Sequence, residues 1–173
     1  VTANIPTVIV PPLGITPPTA VCSGNASLDQ SEATLDVTRS GSVAQGAALD
    51  LVVSADSQTV NGIGVAAMFV VDTPPTPAPR IMTISFGGCE ADAGASGVQF
   101  WDSLFEQAAG EGISVFVSSG DSGAAGDGNP PCEAAFGPPQ ATQILSPNAI
   151  CASSFVTCVG GTEFADAANP SQY

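Results

Sequence analysis

The sequence predicts an α/β fold of three layers, a mostly parallel sheet covered by helices on both faces. Three observations lead there. Apolar β-rich runs at 80–86, 113–117 and 155–159 are separated by stretches long enough for a crossover, and the stretch at 95–110 carries helical periodicity. Strands joined through helices pair in parallel by right-handed βαβ crossovers. Two of the runs end in glycine-rich turns, Gly87-Gly88 and Gly120-Asp121, and parallel sheets gather their sites at the carboxyl ends of strands.

The elements follow in order. Residues 1–24 hold five of the fifteen prolines among β-branched residues, a pattern of extended chain or linker, so the domain proper is expected over 25–173. Asp29 with Glu32 three residues later has the form of a capping box, which predicts a short helix over about 30–39. Ala48 to Ala55, centred on Leu51-Val52-Val53, reads as a β-run. Gly64 to Val71 reads as a helix stopped by Pro74-Pro75-Thr76-Pro77. Arg80 to Phe86 is a buried strand ending at Gly87. Val98, Trp101, Leu104, Phe105 and Ala108 lie at helical spacing within 95–110, with Gly110 and Gly112 as the stop. Ile113 to Val117 and Phe155 to Val159 are further strands.

Composition narrows the function. The chain has 173 residues, 44% of them apolar, enough for a core; only 10% are charged, and the net charge is −14. Lysine and histidine are absent, and Arg39 and Arg80 are the only cations against sixteen carboxylates. Phosphate binding needs clustered basic side chains, so nucleic acid and anionic membrane surfaces are excluded as partners. Carboxylates that repel one another at neutral pH are largely protonated near pH 4, so the charge fits an acidic working environment and equally fits plain solubility.

The five cysteines lack the paired spacing of a zinc site, and no histidine completes one. Disulfides are expected instead: Cys151 with Cys158, Cys89 with Cys132, and Cys22 left over, although spacing alone does not fix connectivity. Such usage points to an oxidising compartment. No stretch is apolar enough to span a bilayer, and no signal-peptide pattern opens the chain. Asn25-Ala26-Ser27 is the one N-glycosylation acceptor, since Pro170 blocks the other.

Three carboxylates stand out as candidates. Glu32 and Asp36 are four residues apart, which on a helix puts both on one face a turn apart. Held together they can share a proton and act as base or acid at low pH. Each also has a plain reading, Glu32 as part of a helix cap and Asp36 as a solvated helix residue. Asp121 follows a buried strand within Ser119-Gly120-Asp121-Ser122-Gly123, where an Asp commonly bonds its own turn. Gly-Asp-Ser-Gly resembles the nucleophile segment of chymotrypsin-like proteases, but that mechanism needs a histidine and an all-β fold.

Four segments occur in order: Ser-Glu-Ala-Thr-Leu-Asp-Val at 31–37, Ile-Ser-Phe-Gly-Gly at 84–88, Val-Phe-Val-Ser-Ser-Gly-Asp-Ser-Gly at 115–123 and Val-Thr-Cys-Val-Gly-Gly-Thr at 156–162. Together, over about residues 29–164, they resemble the sedolisins, or serine-carboxyl peptidases. The resemblance implies a subtilisin-like fold and an acid-acting, secreted endopeptidase. Glu32 would be the general base in place of histidine and Asp36 its partner. Asp121, protonated, would donate to the oxyanion. Both roles call for acidic pH. The backbone of Ser85, Phe86, Gly87 and Gly88 and of Ser118, Ser119 and Gly120 would line a cleft for an extended peptide; the glycines serve equally as strand ends.

The chain also departs from the family. Some members carry tryptophan where Phe86 stands, and phenylalanine has no N–H to extend the carboxylate network. The family's serine lies in a downstream Gly-Thr-Ser motif, and its calcium site lies further still; Gly161-Thr162-Glu163 is not that motif. No metal ligands or cofactor site are expected within these residues. The sequence therefore predicts a fold truncated on its C-terminal side, inactive alone, with a following polypeptide as partner beside the peptide substrate. Without that cover, an apolar sheet edge favours aggregation. Two rivals remain: a non-catalytic remnant or peptide-binding module of the same fold, and an α/β ligand-binding domain, disfavoured because no phosphate loop follows the first strand.

Overall fold

The computed structural model describes residues 4–11, 26–121, 123, 132 and 145–162. Cys22, Asn25 and Glu163 lie outside them. The chain divides into two compact units, Val1–Arg80 and Ile81–Tyr173. The described strands are paired in parallel, as two sheets.

In the first unit, β1 (Thr7–Ile9) pairs in parallel with β2 (Asp50–Val52), Thr7 opposite Asp50 and Ile9 opposite Val52. Part of the proline-rich segment is thus extended chain with a partner. Pro6 and Pro11 flank the strand, where their missing N–H groups cost the ladder nothing. Thr7 N–H donates to Leu49 O at 2.8 Å, and Val53 N–H to Ile9 O at 2.9 Å.

Helix α1 (Ala26–Val43) is nearly twice as long as the expected 30–39. It begins before Asp29, so Glu32 is an interior residue and not the third position of a capping box. The helix carries Ser and Thr through its middle because they bond backward along it. Thr34 Oγ1 donates to Gln30 O, and Thr38 Oγ1 to Thr34 O, both at 2.7 Å. That removes their usual competition with the helix for backbone groups. Gly41 faces Leu49 and Asn4: a Cβ there would lie 3.2 Å from Leu49 Cδ1.

Helix α2 (Gly62–Asp72) matches the expected helix closely. Asn61 caps it, Oδ1 accepting from Gly64 N–H at 2.8 Å, and Thr73 N–H closes it on Phe69 O ahead of Pro74-Pro75. Val65, Ala67, Phe69, Val70 and Val71 are buried. No helix among the described residues is long and apolar enough to cross a membrane.

In the second unit, β3 (Ile81–Ile84), β4 (Ser114–Ser118) and β5 (Val156–Val159) form a parallel sheet in that order. Ile84 lies opposite Val117, and Ser118 opposite Val159. Met82, Ile84, Val115 and Val117 are buried while Ile81, Thr83 and Ser114 are exposed, the period of two of a half-covered sheet. Helix α3 (Glu90–Gly110) runs from β3 to β4 and breaks at Gly94, whose φ of 63° and ψ of 177° suit glycine alone. Beyond the break it follows the expected 95–110. Trp101, Leu104, Phe105 and Ala108 are its buried stripe, and the Trp101 and Phe105 rings stack with centroids 5.4 Å apart.

Both expected disulfides are present, Cys89–Cys132 across 43 residues and Cys151–Cys158 across 7. Closing the larger loop lowers the entropy of the unfolded chain by an amount worth about 4 kcal/mol in the loop-entropy treatment. Replacing Cys89 and Cys132 together by alanine is expected to destabilise the protein by about 2–4 kcal/mol, read as a lower denaturant midpoint with a slope that rises as the unfolded chain expands.

Candidate active site

Of the three carboxylates of helix α1, Asp29 is exposed and Glu32 and Asp36 are half-buried. Glu32, Ala33, Asp36, Val37, Ser40 and Gly41 are half-buried, recurring every turn. Leu28, four residues before Glu32, is 69% exposed, and Leu35, three residues after it, 50%. A surface helix normally turns leucines inward and carboxylates outward. Asp36 is thus partly covered and not fully solvated, and the early helix start removes the reading of Glu32 as a cap.

Asp121 and the seven proposed cleft residues belong to the second unit. The β3–β4 register sets Ser85 beside Ser118, so Ser85–Gly88 and Ser118–Asp121 emerge at the same carboxyl edge of the sheet. Gly160 and Gly161 leave β5 there as well, and Ser119 N–H donates to Val159 O at 2.9 Å. Gly120 has φ of 95°, a left-handed turn that delivers the exposed Asp121 from the strand end. Ser85, Phe86, Gly88, Ser118, Ser119 and Gly120 are half-buried and Gly87 exposed. Glu32 and Asp36 lie in the first unit.

One residue here was not legible beforehand. Ser146-Pro147-Asn148 looks like an ordinary turn, yet Asn148 is 2% and Ser146 3% exposed. Asn148 Nδ2 donates to Ser118 O at 2.8 Å and, more weakly, to Phe86 O at 3.5 Å. Its Oδ1 accepts from Ile150 N–H at 3.0 Å and Gly88 N–H at 3.4 Å. The only advance signal is an Asn after Pro near apolar Leu145, Ala149 and Ile150.

The same segment satisfies the start of α3. Glu90 N–H donates to Pro147 O at 3.0 Å and Ala91 N–H to Ser146 Oγ at 3.1 Å. These bonds occupy N–H groups that a helix start leaves open to anions. A Cβ at Gly87 would lie 2.5 Å from Asn148 Nδ2 and 2.9 Å from its Cγ. Gly87→Ala is therefore expected to displace the Asn148 amide and destabilise the protein by about 1–3 kcal/mol, measured by thermal melting.

Among the described residues no group of three or more His, Cys, Asp or Glu side chains is placed to hold a metal ion. The described part thus offers no fit for the calcium that the family resemblance puts downstream, and no chemistry is routed through it.

No family model and no curated protein matches the chain. Among solved structures, Pseudomonas sedolisin, a serine-carboxyl proteinase complexed with two molecules of pseudo-iodotyrostatin, matches with a TM-score of 0.64 and 27% identity. The match covers 91% of this chain and 40% of that one. The chain therefore has an α/β fold of parallel sheets and helices, subtilisin-like, shared with a serine-carboxyl proteinase over nearly its whole length.

Proposed function

We propose that this chain supplies the proton-handling and oxyanion-stabilising part of a secreted, acid-acting serine-type endopeptidase, whose nucleophile comes from a following segment. The observation that carries the reading is the covered pair on α1: Glu32 and Asp36 half-buried on one stripe while Leu28 and Leu35 face solvent. The likeness to a serine-carboxyl proteinase supports it. So does β5, which pairs with β4 alone among the described residues and has Thr157 to Val159 exposed, as a following strand would use.

In this reading the serine hydroxyl attacks the peptide carbonyl as Glu32 takes its proton, with Asp36 orienting Glu32. The protonated Asp121 donates to the developing oxyanion. Glu32 then returns the proton to the leaving amine, and water enters by the reverse path to free the acyl group. Ser85–Gly88 and Ser118–Gly120 flank the peptide as strand-like backbone. The two disulfides suit an extracellular setting. Calcium, if the whole domain takes it, would bind on residues beyond these.

The test compares this chain with a form extended along its reading frame through the serine segment, on denatured protein near pH 4. The extended form is expected to cleave and the chain alone not. Cleavage by the chain alone would refute the division of labour. An extended form that binds peptide without cleaving it would point to the binding-module alternative.

A further inference from the structure

We infer that Asn148 is a positioning residue that fixes the spacing between the two backbone walls of the proposed peptide groove, Phe86–Gly88 and Ser118–Gly120, an inference that rests on the peptidase reading for its functional meaning. The pairing of β3 with β4 ends at Ile84 opposite Val117. Beyond that point the β3–β4 ladder no longer holds the walls together, although a groove that grips an extended peptide must keep its width.

Asn148 is joined to both walls. Its backbone belongs with the first: it forms an antiparallel bridge with Cys89, and Ala149 N–H donates to Gly88 O at 2.7 Å. Its side chain reaches the second, through the 2.8 Å bond to Ser118 O. The 3.0 Å bond from Ile150 N–H holds the amide in its orientation. The remaining, longer contacts return to Phe86 O and Gly88 N–H. Two donors and an acceptor at the end of a short stem are what asparagine alone provides: Asp lacks the donors, Leu lacks both, and Gln is a methylene longer. Gly87 is bare because the amide occupies the place of its side chain.

Four contacts use the amide fully, so Asn148 has nothing to offer a substrate and acts through the walls. The N–H groups of Gly88 and Ser119 are likewise committed, to Asn148 Oδ1 and Val159 O, and neither is available to a bound peptide.

The test uses the extended protein with Asn148→Leu and Asn148→Asp, a fluorogenic peptide substrate, and amide hydrogen exchange. Asn148→Leu is expected to raise KM tenfold or more at every pH. Asn148→Asp is expected to stay within about threefold of the unmodified protein at the lowest pH, where its carboxyl carries a proton to donate to Ser118 O. Its KM relative to the unmodified protein should climb as that group ionises against the two carbonyl oxygens, a pH dependence that a merely structural residue would not impose. Exchange at Ser119 N–H, in the same peptide group as the Ser118 carbonyl that Asn148 holds, is expected to quicken tenfold or more in Asn148→Leu. Unchanged KM in both variants at every pH, whatever their melting temperatures, would overturn the inference. Should Asn148→Leu not fold, the pH dependence of Asn148→Asp decides. Should the unmodified protein cleave nothing, the peptidase reading fails by itself, and Ser119 exchange decides whether Asn148 holds the walls.

Discussion

Replacing Glu32 by glutamine in the extended enzyme is expected to lower kcat by about 10²–10⁴-fold, the span that a positioned general base contributes. Glutamine keeps the shape and hydrogen-bonding reach of the side chain but cannot accept the serine proton. The same change removes one of two like charges a turn apart on α1, a pairing worth about 0.2–0.5 kcal/mol against the helix. Activity and stability should therefore separate: catalysis collapses while the melting temperature holds or rises. A Glu32 that served only the fold would show the opposite. Asp36→Asn is expected to follow the same direction with a smaller loss, since Asp36 would act on Glu32 and not on the substrate. Steady-state kinetics beside thermal melting on one preparation of each variant reads both quantities.

Asp121 gives the second large effect. Removing an oxyanion donor costs about 10²–10³-fold in kcat, and Asp121→Ala is expected to fall in that range. Asp121→Asn discriminates further. A carboxyl donates a hydrogen bond only while it carries its proton. An amide donates at every pH. The asparagine variant should thus keep substantial activity, with the alkaline limb of its kcat profile moved to higher pH. If that limb stays in place, some other group sets it and the donor role of Asp121 fails. Gly120, with φ of 95°, aims the side chain in either case, so no refolding of the turn is implied.

The elements carried by local periodicity were readable from the sequence. The buried stripe of α3 announced itself through Trp101, Leu104, Phe105 and Ala108, and α2 through an apolar run from Gly64 to Val71 stopped at Pro74. The strand ends bearing Gly87 and Gly120 were readable for the same reason, because glycine and small polar residues punctuate apolar runs sharply. What escaped depends on partners distant in sequence. Strand β1 is three residues long in a proline-rich stretch, and only its pairing with β2, more than forty residues later, makes it a strand. Helix α1 outran its expected limits by running on past Arg39 through Ser40-Gly41-Ser42, residues of low helix propensity. Its half-buried face was invisible because it mixes Glu32 and Asp36 with Ala33 and Val37, which leaves no amphipathic pattern to detect. Asn148 was the hardest, since its partners lie 30 and 62 residues upstream and nothing local marks an Asn as buried.

The central claim is that Glu32 and Asp121 serve one reaction centre completed by a downstream serine. The most direct measurement is a crystal structure of the extended protein at acid pH with a peptide aldehyde bound. The account predicts a hemiacetal on that serine, a Glu32 carboxylate oxygen about 3 Å from the serine oxygen and an Asp121 oxygen about 3 Å from the hemiacetal oxygen. An adduct with either carboxylate pointing away from it would contradict the account.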